Sequence, residues 1–294
     1  MSIPETQLQT WANRGAIETA QRTHESIRYA LNTYSGWSSG VTFDTYLQGS
    51  YRNSTNIRGD SDVDIVTELT SVYYSNLTEE EKSQLNWQPA EYTWSNFRSE
   101  VIAALCNFYG SQNVDTSGSK SIKVLPASVR LKADVVVAAR YMFYENQKSR
   151  AEGMTFFTQP GWQQIVNYPM LHYDNGASKN SDYLTGNGYK PTIRIYKNSR
   201  NRVIENNPHL QKQFPSYFIE CLLYNVPNEY FKGSYQDKFV NTLNWLNEKL
   251  YGSESDEFVC QNGMFYLFGN SIVQWKINYA QEYISKLIEL WNNW

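Results

Sequence analysis

Two aspartates separated by a single residue are the part of the sequence best suited to chemistry. Asp62 and Asp64 lie in the segment SDVDIVTEL, whose alternation and β-branched residues predict a strand. Side chains two positions apart in a strand point to the same face, so the two carboxylates lie side by side. Such neighbours repel each other unless a cation lies between them, and Mg²⁺ prefers oxygen ligands. The spacing therefore predicts a magnesium site that the phosphates of a substrate would complete.

Gly49 and Ser50 precede this acidic pair, at the end of the predicted strand VTFDTYLQGS. A glycine lets the backbone approach a phosphate closely, a serine adds a hydroxyl donor, and a helix that starts there favours an anion. Each motif alone is a weak indication, since most short acidic pairs lie in solvated loops or helix caps. Their combination, in this order and in a strand-like context, indicates the binding of a nucleotide phosphate.

Asp134 is the candidate for a third carboxylate. It lies in the apolar segment LKADVVVAA, where an unpaired charge would be costly. A two-metal phosphoryl transfer uses a further acid for the metal that activates the attacking hydroxyl. The alternative is a buried salt bridge with Lys132 or Arg140, and the acidic pair upstream favours the metal role.

The elements that position these residues form an α+β pattern. A long helix is expected over residues 3–34, opened by Ser2 and Glu5 as a capping box. The first half is expected to mix strands with flanking helices, and residues 152–189 are expected to be irregular. Further helices are expected at 79–85, 94–109, 190–205, 213–225, 235–250 and 270–292. We therefore expect a mixed sheet with flanking helices over residues 1–160 as a catalytic lobe, followed by a helical nucleotide-binding lobe over 161–294.

Composition excludes several classes of protein. The 294 residues carry a net charge of −3 without a basic stripe, so duplex nucleic acid is not an expected partner. Three isolated cysteines and three histidines show no spacing typical of a disulfide framework or a zinc site. The first residues do not resemble a signal peptide and no apolar run suits a membrane span, so a cytoplasmic location is expected. The sequon at Asn53-Ser54-Thr55 is therefore treated as chance.

The segment GSYRNSTNIRGDSDVDIV resembles the active-site signature of the cGAS/DncV-like nucleotidyltransferases (CD-NTases) of bacterial anti-phage systems, within the polymerase-β-like superfamily. Three segments of the second half resemble helical-lobe segments of the same group, in the expected order: IVNYPMLHYDNG, YKPTIRIYKNSR and SYFIECLLYNVPN. The resemblance covers most of the chain. Its first part is shared by many nucleotidyltransferases, and the later segments narrow the choice.

The resemblance implies a role for the Gly-Ser motif and for each of the three aspartates. It places Gly49 and Ser50 at the triphosphate of the donor nucleotide. It assigns Asp62 and Asp64 to both of two Mg²⁺ ions, with Mn²⁺ as an alternative metal. Asp134 would bind the metal that activates the incoming 3′-hydroxyl.

Three residues of the second half are further candidates for nucleotide binding. Lys197 matches the lysine that this group uses on the triphosphate tail, although a solvated surface lysine is the alternative. Arg194 shares its helix face and would be either a helper or a structural pairing. Asn167 could read a nucleobase, because an amide offers a donor and an acceptor to the imide edge of uracil. A turn-forming asparagine before Tyr-Pro is the alternative for Asn167.

The implied reaction joins two nucleoside triphosphates, such as ATP and UTP, into a cyclic dinucleotide, or into a trinucleotide if the pocket is roomier. The product would act as a second messenger on a separate effector, and a regulatory protein is a further expected partner. One alternative is an enzyme that makes linear oligonucleotides or transfers a nucleotide to a protein or small acceptor. Another is a non-catalytic nucleotide-binding scaffold, against which the retention of all three carboxylates argues.

Overall fold

A computed structural model describes residues 2–59, 62–146 and 148–294. Its α-helices and strands follow one another in this order: α1 (Glu5–Ala12), α2 (Glu18–Asn32), β1 (Phe43–Leu47), α3 (Gly49–Asn53), β2 (Asp62–Ser75), α4 (Glu79–Gln84), α5 (Trp94–Tyr109), β3 (Val114–Asp115), β4 (Ile122–Val124), β5 (Lys132–Glu145), β6 (Lys148–Phe157), β7 (Gln164–Asn167), α6 (Pro169–Lys179), α7 (Asp182–Thr185), α8 (Tyr189–Asn206), α9 (Ser216–Tyr224), α10 (Tyr235–Lys249) and α11 (Ile277–Asn292).

The chain divides into two compact units, and neither is continuous in sequence. The sheet unit comprises Ala16–Tyr51 and Ser61–Pro169, and the helical unit comprises Met1–Gly15, Arg52–Asp60 and Met170–Trp294. The boundary expected at residue 160 lies inside the sheet unit, because β7 pairs with β6. Two earlier stretches of the chain group with the helices, which no local pattern indicates.

The sheet is built around β2 and β5, which run parallel over residues 62–69 and 132–139. The strand order is β1-β2-β5-β4-β3, with β6 paired to β5 and β7 paired to β6. All pairs other than β2–β5 are antiparallel. A parallel pair needs a crossover connection, which here contains α4 and α5. The predicted mixed sheet with flanking helices is confirmed.

Helices α2 and α5 cover one face of this sheet. Ile27 and Leu31 of α2 are buried with Phe97, Val101 and Leu105 of α5, which follow the predicted helical spacing. Phe108, the last member of the predicted stripe, is exposed. The helical periodicity therefore identified the buried face of α5 up to its last turn.

The core of the helical unit lies around α8, α9, α10 and α11. Helices α10 and α11 contribute Phe239, Leu243, Tyr283 and Leu287 to it. The last helix begins at Ile277 rather than near residue 270, so Ile272 precedes it and is exposed. Among the residues that the structure describes, no helix is both long and apolar enough to cross a bilayer.

The single long N-terminal helix is wrong, because α1 ends at Ala12 and α2 begins at Glu18. At the break, the backbone N–H of Gly15 donates to the carbonyl of Asn56 at 3.1 Å. The capping box is also wrong, since no side chain caps α1. The Glu5 carboxylate instead accepts from the backbone N–H groups of Tyr235 and Gln236, each at 2.8 Å, at the start of α10. A carboxylate satisfies free N–H groups at any helix start, and tertiary structure decides which one.

Residues 152–189, expected to be irregular, contain most of β6 and all of β7, α6 and α7. Strand β6 forms by pairing with β5, and β7 by pairing with β6. Strand pairing between segments distant in sequence outweighs a local composition rich in Gly, Asn and Pro. Sequence patterns therefore fail where the partner strand supplies the stability.

Candidate active site

The register of the central strands brings together the two predicted groups of acids. Asp62 and Asp64 lie on β2 with Val63 between them, and Val63 is fully buried whereas both aspartates are partly exposed. Asp64 is the direct cross-strand partner of Asp134 on β5. Neighbouring strands of a sheet lie about 4.8 Å apart, and directly opposed residues point to the same face. The three carboxylates therefore belong to one face of the sheet, in neighbouring positions.

Gly49 lies against the second aspartate of the pair. It has a φ of +65°, and a Cβ atom built on it would lie 2.2 Å from Oδ2 of Asp64. The preceding Gln48 donates its backbone N–H to the carbonyl of Asp64 at 2.9 Å. Gly49 also begins the short helix α3, as expected of the Gly49-Ser50 motif. Only glycine provides both the backbone conformation and the space beside Asp64.

The salt bridges proposed as the alternative for Asp134 are made by other acids. The Lys132 ammonium lies 2.7 Å from Oδ2 of Asp62, and Arg140 pairs with Glu68 and Glu152. Oδ1 of Asp134 is buried and has no hydrogen-bond partner within residues 2–59, 62–146 and 148–294. A buried carboxylate oxygen without a donor is unfavourable unless a cation or a ligand meets it.

The environment of Asp134 disfavours its charged form. Burial raises the pKa of this carboxyl above its ordinary value, and the charge of Asp62 raises it further. The charges of Lys132 and Lys123 oppose this shift without reversing it. Lys123 is the cross-strand partner of Asp134 on β4. A divalent cation at this position would relieve both the repulsion and the desolvation of Asp134.

The carboxylates of Asp62, Asp64 and Asp134 suit a metal that prefers oxygen ligands, although they do not converge on one point. In the part of the chain that the structure describes, no three acidic, histidine or cysteine side chains form a preorganised metal cage. One reason is that the Asp62 carboxylate is turned onto Lys132. Mg²⁺ is bound in many enzymes by one or two carboxylates together with substrate phosphates. The adjacent Asp64 and Asp134 match that ligand set.

Lys197 and Arg194 lie on α8 in the helical unit, and both are buried. Nζ of Lys197 donates to the carbonyl of Thr55 at 2.9 Å, which excludes a solvated surface lysine. The Arg194 guanidinium donates to the carbonyls of Ala12 and Ser54. Arg194 therefore makes the structural pairing that was its alternative. For Lys197, contact with a triphosphate stays a prediction.

Asn167 is the last residue of β7 and pairs with Met154 of β6. It lies in a strand rather than in the turn that was its alternative. A Cβ atom on Gly153 would lie 2.6 Å from the Asn167 carbonyl, so glycine allows the close approach of the two strands. The base-reading role of the Asn167 amide stays a prediction.

Comparison with known proteins decides the family. A cyclic UMP-AMP synthase of Rhodothermus marinus is 46% identical over 298 residues, which cover 100% of this chain and 99% of the relative. The chain belongs to the cGAS/DncV-like nucleotidyltransferase family. The sequence-family model for the C-terminal helical domain of cGAS/DncV-like nucleotidyltransferases matches residues 174–292. A cyclic nucleotide synthase of Staphylococcus haemolyticus is 37% identical, with 100% of both chains covered.

Solved structures agree with this family. The structure of the Rhodothermus marinus c-UMP-AMP synthase with Apcpp and Upnpp has a TM-score of 0.91, 46% identity, and coverage of 99% of this chain and 97% of the other. That of an Elizabethkingia meningoseptica cyclic dinucleotide synthase with GTP and Apcpp has a TM-score of 0.80 and 29% identity, and 98% of each chain is covered. The cGAS/DncV-like chain is thus an enzyme, and the expected cyclic dinucleotide synthase activity is confirmed.

Glu220 is a further buried acid of this cGAS/DncV-like nucleotidyltransferase that was not predicted from its sequence. Glu220 is buried in α9 within the apolar run SYFIECLLY, and its carboxylate bonds the side chains of Asn53, Thr55 and His172. An acid in an apolar helix is the same signal that singled out Asp134 in an apolar strand. That signal was present in the sequence, whereas the partners of Glu220 come from distant parts of the chain.

Proposed function

We propose that this nucleotidyltransferase joins a uridine and an adenosine nucleotide, from UTP and ATP, into a cyclic dinucleotide. The pairing of Asp64 with Asp134 carries the proposal for the catalytic chemistry. The choice of bases is supported by 46% identity, over the whole chain, to a protein named a cyclic UMP-AMP synthase. A role of the product as a second messenger in anti-phage signalling, and a regulatory protein partner, stay predictions from the resemblance.

In this mechanism each residue type has one task. Asp62, Asp64 and Asp134 would hold two divalent cations, Mg²⁺ or Mn²⁺, whose charge promotes loss of the hydroxyl proton and stabilises the leaving pyrophosphate. The backbone at Gly49 and the Ser50 hydroxyl bind the donor triphosphate. The ribose hydroxyl oxygen forms a bond to the donor α-phosphorus, the bond to pyrophosphate breaks, and the hydroxyl proton leaves to solvent. A second such step on the linear intermediate closes the ring.

The test follows labelled nucleotides into the product. Purified protein is incubated with Mg²⁺ and each pair of radiolabelled triphosphates, then treated with phosphatase and analysed by mass spectrometry. We expect a phosphatase-resistant product that requires both UTP and ATP, since a ring has no terminal phosphate to remove. A product from purines alone would contradict the proposed bases, and one that phosphatase degrades would contradict ring closure. Asp64→Asn is the inactive control.

A second measurement addresses base reading. If the Asn167 amide recognises the uracil edge, Asn167→Ser should lower the use of UTP relative to the purine triphosphates. Competition between labelled triphosphates in one reaction reports this preference directly. An unchanged preference would remove Asn167 from the site.

A further inference from the structure

Part of the segment between the two signature motifs, from Asn53 to Ile57, is largely buried, and it belongs to the helical unit. Residues 53–59 run from the last residue of helix α3 towards β2, which begins at Asp62. Thr55 and Asn56 are almost completely buried although they form neither helix nor strand. Connecting segments are usually exposed, because buried backbone and side-chain polar groups need partners. The burial of this segment therefore requires specific polar contacts.

Glu220 of α9 supplies the first of these contacts. Its Oε1 accepts a hydrogen bond from the Thr55 hydroxyl at 2.6 Å, and its Oε2 accepts one from the Asn53 amide at 3.2 Å. Oε2 also lies 3.0 Å from Nε2 of His172. The carboxylate thus joins two side chains of the segment to the interior of the helical unit.

Lys197 and Arg194 of α8 hold the backbone of the same segment. Lys197 donates to the Thr55 carbonyl at 2.9 Å, and Arg194 donates to the Ser54 carbonyl at 2.6 Å. Ser54 has a φ of +60°, a conformation that costs free energy for a residue other than glycine. We call Glu220, Lys197 and Arg194 the segment clamp.

The groups around Glu220 favour the ionised form of its carboxyl. Burial on its own raises the pKa of Glu220, but the hydrogen bonds from His172 and Thr55, together with the nearby charge of Lys197, lower that pKa below its ordinary value. Glu220 is therefore a buried anion near the Lys197 ammonium. Charge-assisted hydrogen bonds of this kind are stronger than neutral ones and hold their geometry.

The backbone of the N-terminal stretch also contacts the segment, at Gly15. Besides the bond from Gly15 to Asn56, a Cβ atom on Gly15 would lie 2.3 Å from the carbonyl of Ile57. Only glycine allows that approach of the two backbones. The segment is thus held by side chains of two helices and by a close backbone contact.

We propose that Glu220, Lys197 and Arg194 are positioning residues for nucleotidyl transfer, acting through residues 53–55. Asn53 is the last residue of α3, whose first residues are Gly49 and Ser50. A fixed segment limits the conformations open to the residues that precede and follow it in the chain. Misplacement of reacting groups by about 1 Å can cost about 10²-fold in rate. The proposal rests on the proposed roles of Gly49, Ser50, Asp62 and Asp64.

The test removes one hydroxyl at a time. Thr55→Val deletes the bond to Glu220 and leaves the carbonyl that Lys197 binds. Thr242→Val is the matched control, because Thr242 is also buried in the helical unit and bonds the Tyr196 hydroxyl and the Lys238 carbonyl. Thr55→Ser keeps the hydroxyl and serves as the conservative rescue.

Two measurements are compared for these variants. Hydrogen exchange followed by mass spectrometry should show faster exchange over residues 50–64 in Thr55→Val than in Thr242→Val. The two variants are compared at the same interval below their respective Tm values, so that a difference reports local rather than global opening. Steady-state kinetics should show a fall of about tenfold in kcat for Thr55→Val with KM little changed, since misalignment acts on the transition state. Thr55→Ser should restore most of the loss.

The outcomes separate the clamp from the proposed chemistry. Equal exchange and equal kcat in Thr55→Val and Thr242→Val would overturn the proposal. Glu220→Gln gives a second reading, since one amide oxygen cannot accept all the bonds of the carboxylate; its exchange over residues 50–64 must rise if the clamp exists. Exchange does not depend on catalysis. Retained activity in Asp64→Asn would instead contradict the roles of the acids and leave the exchange result standing.

Discussion

Asp134 is an acid in an apolar strand, and its buried Oδ1 accepts no hydrogen bond from the residues that the structure describes. Burial and the nearby charge of Asp62 both raise its pKa. The same carboxylate is the cross-strand neighbour of Asp64. A side chain that lowers stability but faces another acid is typical of a site that a cation completes.

Replacing Asp134 by asparagine should therefore have opposite effects on activity and stability. Product formation should fall by about 10³-fold or more, because a metal ligand supplies several kcal/mol to the transition state. In EDTA, the Tm should rise by about 2 °C, because the charged form is disfavoured in the folded state. Calorimetry and product analysis of one preparation check both effects. A lower Tm with wild-type activity would make Asp134 a structural residue.

Gly49→Ala tests the contact between the Gly-Ser motif and the acidic pair. A methyl group there would displace the Asp64 carboxylate in addition to straining the backbone. We expect kcat to fall by about 10²-fold and the free energy of unfolding by about 1–2 kcal/mol. Gly40→Ala is the matched control, since Gly40 has a φ of +79° and nothing within 4 Å of the added Cβ. Similar kinetics for both variants would contradict the steric role.

At the scale of elements, local patterns predicted what local interactions stabilise. Helix α5 was expected at 94–109 and α10 at 235–250, and both lie within one residue of those bounds. The pattern failed over residues 152–189, where strands depend on partners distant in sequence. It also failed at the break between α1 and α2, where Gly15 contacts Asn56. Helices are determined largely by their own periodicity, and strands by their neighbours.

Lys179, the last residue of α6, makes the stability of the helical unit depend on pH. Its ammonium donates to the carbonyl of Val226 at 2.7 Å and to Asn228, and it lies over aromatic rings of the core. Burial lowers its pKa to about 8, and the charge of Glu229 opposes the shift. Above that pH the folded state has lost a proton that the unfolded state keeps up to its ordinary pKa. This group therefore adds stability as pH rises from about 8 towards 10.5.

Comparison with Lys179→Met isolates the effect. The difference in unfolding free energy, wild type minus variant, should increase by about 1–2 kcal/mol between pH 7.5 and about 9.5. Urea unfolding of both proteins at intervals across that pH range measures this difference. The contributions of other titrating groups cancel, because both proteins contain them. A difference that does not change with pH would show that the ammonium keeps its ordinary pKa.

At the scale of the whole molecule, the helical unit is assembled from three stretches of the chain. Ile3 and Leu8 from the N-terminal stretch are fully buried in its core. Thr55 and Asn53 from the middle stretch supply partners to Glu220. A unit defined from residue 161 onward would lack all of these contacts.

We therefore expect the fragment of residues 161–294 to have no cooperative unfolding transition. Loss of Ile3 and Leu8 alone removes about 4–5 kcal/mol of apolar burial, close to the whole stability of many domains. Far-ultraviolet circular dichroism during heating, beside the full-length protein, checks this. A sharp transition near that of the intact chain would show that the later helices fold independently.

The sequence by itself determined the side-by-side placement of Asp62 and Asp64, because a strand repeats every two residues. It also determined the amphipathic helices of the second half and the resemblance that the comparisons confirmed. Only the tertiary structure decided that Asp134 lies opposite Asp64, since strand register between distant segments depends on the whole sheet. For the same reason it alone decided the partners of Glu220. Contacts set by a short repeat are readable locally, and contacts between distant segments exist only once the core has formed.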